Sequence, residues 1–150
     1  MESMTQFSIF LVNKPGVLAQ VCRQLAAARV NILAMTMTDS SEHGVLRLVA
    51  SEPERVRSAL STLNLPTTET DVLVVEMANR PGAMADICGR LAEAHVNISY
   101  AYCTTGARGG KTRGVFKVAD TAKAMKVLRR PEHRPQNNGQ KIRRPVTMRR

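Results

Sequence analysis

Phe7 to Val12 is an unbroken apolar run rich in β-formers, which predicts a short strand buried largely on both faces. Asn13-Lys14-Pro15-Gly16 interrupts it. Proline near a first helical position presets φ and wastes no backbone donor, so a helix is expected to begin about there. Val17, Leu18, Val21, Cys22, Leu25 and Ala26 then recur on one helical face, with Gln20, Arg23 and Gln24 opposite. Val30-Asn31 ends that helix, and Ile32 to Thr38 alternates as a strand. The polar stretch from Asp39 to Gly44 suits a hairpin turn, and Val45 to Ala50 returns as a third strand. Ser51 and Glu54 have capping-box spacing ahead of a second helix, whose stripe is Val56, Ala59, Leu60 and Leu63. Leu65 to Thr70 is a weak fourth strand.

The pattern then repeats. Asn79 to Ile98 matches Asn13 to Ile32 without a gap at eleven of twenty positions, 66 residues on. Val72 to Met77 is the strand; Ala83, Met84, Ile87, Cys88, Leu91 and Ala92 form the helix face. Ile98 to Thr104 and Val115 to Val118 follow as strands, joined by a longer, glycine-rich hairpin expected to be mobile. Asp120 caps a last helix through Leu128. After Pro131 no fourth strand is legible, and the sheet edge it would fill is expected to be left free or taken by tail residues. The fold class implied is α+β: two tandem ferredoxin-like (βαββαβ) modules with antiparallel sheets and helices on one face. Residues 1–70 make module one and 71–129 module two, while 130–150 form a basic tail expected to be disordered or to order on a partner.

Composition adds location to charge. The net charge is +10, but residues 129–150 alone carry +7, so the body is only mildly basic. That distribution fits a folded body with a basic appendage and argues against a nucleic-acid-binding fold. Cys22, Cys88 and Cys103 have no metal-ligand spacing, and the first two fall on the apolar helix faces as small hydrophobes. Met35 and Met37 are read as packing. With no signal-like start and no long apolar run, a cytoplasmic location and no membrane contact are expected.

Catalytic machinery is hard to find. His43, His95 and His133 fall in a hairpin, a helix end and the tail, with no P-loop or nucleophile elbow nearby. A non-enzyme without cofactor or metal is expected. Asn13 and Asn79 differ from this background. Each precedes Pro-Gly at a helix start, where free amides and the helix dipole favour a carboxylate and glycine lets it approach. Capping is the plainer explanation. Asn31 and Asn97 also fit a left-handed helix stop. Within one module the two asparagines lie at opposite ends of a helix roughly 22 Å long. Antiparallel packing of the first helices would bring Asn13 to Asn97 and Asn79 to Asn31, either within the chain or between two chains of a dimer.

These residues resemble the ACT domain, as a tandem pair over about residues 6–128. The N-[KR]-P-G-x-[LM] start, the V-N-I that ends the helix and the doubled asparagine spacing carry the resemblance. It implies a regulatory protein holding a free amino acid at the interface between modules, at Asn13, Pro15, Gly16, Val17, Leu18, Asn31 and Ile32 and at Asn79, Pro81, Gly82, Ala83, Met84, Asn97 and Ile98. Some serine-binding members have a histidine where Leu11 and Met77 stand here, so a more apolar amino acid fits as well as serine. A homodimer or a regulated partner enzyme is implied. The alternatives are an assembly module with vestigial pockets, and RNA binding, for which only Tyr100 and Tyr102 offer stacking surfaces.

Overall fold

A computed structural model describes residues 1–38, 43–104 and 110–130. The expectations for the turn at 39–42, the glycine-rich hairpin at 105–109 and the tail from 131 lie outside the described residues. The order is β1 (Glu2–Val12), α1 (Val17–Ala27), β2 (Ile32–Thr38), β3 (His43–Ala50), α2 (Pro53–Ser61), β4 (Thr67–Ala78), α3 (Ala83–Glu93), β5 (Ile98–Thr104), β6 (Lys111–Val118) and α4 (Thr121–Arg129). The two modules share one antiparallel sheet in the order β2-β3-β1-β4-β6-β5.

The weak strand at 65–70 and the strand at 72–77 are one continuous strand, β4, because its pairing with β1 runs through Asp71 unbroken from Thr67 to Val74. The boundary expected between residues 70 and 71 therefore falls inside a strand. β1 likewise begins at Glu2, ahead of the apolar run. Its first residues pair with β4 from Glu2↔Val74 to Thr5↔Asp71. They occupy the place of module two's missing fourth strand, which is thus neither vacant nor taken by the tail. Thr5 and Asp71 are themselves 66 residues apart, so the pair that the repeat maps onto itself marks a pseudo-twofold axis through the sheet.

Strand alternation places all four helices on one face. Phe7, Ile9 and Leu11 pack with α1 and α2, while Leu73 and Val75 pack with α3 and α4. Ser3, opposite Leu73, has the parity of Phe7, so both sets lie on the same side. The helix-free face is not open either. Val49, Val72, Val74 and Val115 form a third buried cluster there. The edge strands β2 and β5 curl toward each other, with Cα atoms within 8 Å.

Several local expectations shift. Phe10 and Val12 are 41% and 45% exposed, so the end of β1 is buried on one face only. Met35 and Met37 stand on the edge strand β2 and are each 39% exposed, with Met37 laid over Gly44 of β3. Ala26 and Ala92 are exposed on their helices. Cys22 and Cys88 are only half-buried and Cys103 is exposed. Glu52, not Ser51, is the N-cap residue of α2, and Pro53 opens the helix. Asp120 caps α4 as expected, accepting from the Lys123 N–H at 2.8 Å.

Candidate functional site

The two Asn-Lys/Arg-Pro-Gly segments fold identically. The Lys14 N–H donates to the Val12 carbonyl at 2.9 Å and the Arg80 N–H to that of Ala78 at 3.0 Å, closing a tight turn around each asparagine. Lys14-Pro15-Gly16-Val17 and Arg80-Pro81-Gly82-Ala83 are type II turns, closed at 3.4 and 3.3 Å. Gly16 has φ +89° and Gly82 +88°, the left-handed region that the third position requires. Proline is therefore selected as the second residue of this turn, two places earlier than the first helical position. The helices begin after glycine, whose carbonyl accepts from Gln20 in α1 and from Asp86 in α3, both at 2.9 Å.

The helix ends also match. The left-handed residue is Arg29 in module one and His95 in module two, at φ 54° and 53°. Val30 and Val96 then donate back to Leu25 and Leu91 at 2.9 Å, with Arg29 and His95 bonded to Ala26 and Ala92. This is a Schellman arrangement, and its apolar residue is the buried valine. Asn31 and Asn97 follow it, so they do not supply the left-handed stop expected of them. Their side chains are exposed and make no hydrogen bond among the described residues.

The site residues are dispersed within a chain. Asn13, Pro15, Gly16, Pro81 and Gly82 are exposed, and Asn79 is half-buried. Val17, Leu18 and Ile32 pack partly against module one's core, and Met84 and Ile98 against module two's; Ala83 is buried. β1 and β4 are antiparallel neighbours, so the loops that follow them leave opposite ends of the sheet. Asn13 does not meet Asn97, because β4 and β6 lie between their strands. By register, Ile98 sits level with Val118, near Asp71, while Asn13 lies beyond Ile9↔Thr67. That offset is roughly 25 Å along the strands. The crossing of first helices does not form in the chain because the modules join through β1 and β4, with α1 packed on α2 and α3 on α4.

A cavity of about 340 Å³ lies beside the second loop, between β4, the start of α3 and the end of α4. Val75, Met77, Ala83, Ile87 and Leu128 give it an apolar floor, Arg80, Asp86 and Arg90 line it with charge, and Glu76 borders it with its side chain on the other face of β4. Of these only Ala83 stood among the expected site residues. Glu76 is bonded to Lys111 at 2.5 Å, and that hydrogen bond holds its carboxyl below the usual range. Arg90 donates to the carbonyls of Val127 and Arg130 at 2.8 and 2.6 Å, closing the end of α4. Arg80 and Asp86 pair at 2.7 Å. The signal that could have found them was the acid in α3's first turn, absent from α1. A larger cavity of about 490 Å³ adjoins the end of α2 and the start of β4. There Arg57 grips Glu69 through two bonds of 2.7 Å, which holds the Glu69 carboxyl below its usual range.

The tyrosines are engaged. Tyr100 accepts from the Gln6 amide at 2.7 Å and lies under Arg47, whose guanidinium carbon is 4.7 Å from the ring centre. Tyr102 donates to the Gln6 amide oxygen at 3.1 Å. Neither presents the free ring that base stacking requires. Among the described residues no cluster of metal-ligating side chains exists, and no helix is long and apolar enough to cross a membrane.

A duplicated strand-turn-helix unit, joined through shared strands and repeating one loop at two ends of a sheet, defines a tandem pair of one α+β module. The chain belongs to the ACT domain pair family, whose description matches residues 2–134. Among solved structures it is similar to protein BT0572 from Bacteroides thetaiotaomicron, at 31% identity over 84% of this chain and 86% of that one, with a TM-score of 0.77. It shares its fold with the ligand-free regulatory subunit of aspartate kinase from Thermus thermophilus, at 12% identity over 85% of this chain and 95% of that one, with a TM-score of 0.67. The corresponding subunit from Thermus flavus is 16% identical over 84% of this chain and 90% of that one, at 0.59. Comparison with curated proteins returned no match.

Proposed function

We propose that this protein is a non-catalytic sensor that binds a free amino acid and passes its bound state to a partner protein. The observation that carries this reading is the cavity beside the Asn79–Ala83 loop, which combines charges of both signs with an aliphatic floor. A zwitterion with an apolar side chain asks for that combination. The Schellman ends add support: Val30 and Val96 complete the helix stops, so backbone geometry does not account for Asn31 and Asn97. The likeness to regulatory subunits is consistent with an output delivered through another protein. Ligand binding changes that output only by favouring one of two arrangements whose partner contacts differ.

Calorimetric titration of the full chain with each of the twenty amino acids tests this. At least one should bind, and Asn79→Ala should weaken it. Silence across the panel removes the reading. A second reading, an assembly module with vestigial pockets, is favoured by the exposed apolar Phe10, Val12, Met35 and Met37. It predicts that silence together with a stable oligomer.

A further inference from the structure

We propose that Arg80 and Asp86 are the residues that make this chain selective for zwitterions, by exchanging each other for the carboxylate and ammonium of an aliphatic amino acid. The inference rests on the amino-acid-binding reading and names the chemistry of that site. Four charged residues border the cavity beside the second loop, and two are committed. Arg90 is held by two carbonyls at the end of α4, and Glu76 by Lys111. Releasing either would leave backbone acceptors or a cation without its partner.

Arg80 and Asp86 are different. They hold each other at 2.7 Å with side chains 53% and 46% exposed, a weakly held kind of pair. Arg80 also reaches the Pro81 carbonyl at 3.1 Å, which keeps its guanidinium folded against the turn. An arriving carboxylate offers Arg80 an anion in place of the single bond it makes to Asp86, and an ammonium offers Asp86 a cation in return. The exchange leaves no charge unpaired. A plain carboxylic acid strands Asp86, and a plain amine strands Arg80. Val75, Met77, Ile87 and Leu128 supply an aliphatic wall beyond the pair.

Module one lacks this device. The positions that match by the 66-residue repeat are Lys14 and Gln20. Lys14 is exposed and has no ion pair among the described residues, and α1 carries no acid in its first turn. The pair therefore provides one zwitterion site per chain, in module two.

Calorimetry with leucine, 4-methylpentanoate and 3-methylbutylamine separates the contributions on the full chain. Leucine should bind at one per chain and at least tenfold more tightly than either analogue. Asp86→Asn should weaken leucine about tenfold and leave 4-methylpentanoate unchanged or tighter, while Arg80→Gln should weaken leucine similarly and spare the amine. Thermal melts of both exposed-site variants check that the fold is intact. Leucine binding the two variants as it binds the native chain overturns the inference. So does binding of another amino acid in the panel with none of leucine, which leaves the sensor reading standing. Silence to all twenty removes both.

Discussion

Gln6 is fully buried on the face of the sheet that carries no helix, and its two amide atoms are matched by two phenols from β5. Burial pushes the Tyr102 hydroxyl well above its usual range, the neighbouring Tyr100 adds to this, and Arg47 opposes it. Tyr102 therefore stays protonated and keeps donating through neutral and alkaline pH. Tyr102→Phe removes that donor and leaves an amide oxygen buried, so urea unfolding should show a loss of about 1–3 kcal/mol. The same substitution in a Gln6→Leu background should cost markedly less, since no amide then remains to strand. No local signal announces this contact, because the partners stand 94 and 96 residues from Gln6 in sequence. The Pro-Gly turns were legible because their chemistry is complete within four residues. Even there the proline's role was mistaken for a helix start, since a type II turn and a first helical turn ask for the same φ.

At the scale of elements, the joining of the modules depends on one extended pair. β1 runs past its own module to fill the vacant strand position of the other, and β4 belongs to both. The repeat, the helix faces and the strand order within each module could be read from periodicity. The joint could not. Glu2 to Thr5 is polar apart from Met4 and carries too short an alternation to signal a strand on its own, and it is a strand because residues 71–74 offer a paired backbone beside it and the third cluster receives Met4. Deleting residues 2–5 should therefore damage module two more than module one, although the deletion lies at the start of module one. Val72 and Val74, 0% and 4% exposed, would lose the strand beside them. Hydrogen exchange should accelerate at residues 72–74 by at least tenfold while Leu46 and Leu48, between β1 and β2, keep their protection. Equal acceleration in both modules would mean that the sheet unfolds as one unit.

The pseudo-twofold axis through Thr5 and Asp71 sets what the whole molecule can do with its asparagines. It sends the two Asn-x-Pro-Gly loops to opposite ends and leaves Asn13 and Asn97 separated by two strands. The crossed pairing suggested by the doubled asparagine spacing therefore requires a second chain, with the loop of one protomer meeting the helix tip of the other. Such an arrangement has a signature that no single-chain site can imitate. Asn13→Ala and Asn97→Ala should each abolish binding at this shared site. A mixture of the two variants, unfolded and refolded together, forms heterodimers in which one protomer contributes an intact Asn13 and the other an intact Asn97. One of the two such sites in each heterodimer is then whole, so random mixing should restore roughly a quarter of these sites. Calorimetry with the tightest amino acid of the panel reads that fraction against the native chain. Restoration would place the ligand between protomers and couple occupancy to dimerisation, giving the sensor its output through subunit contacts. No recovery in a mixture shown by mass spectrometry to contain the heterodimer would confine binding to the single chain, and the cavity beside Arg80 and Asp86 would then be the site that remains.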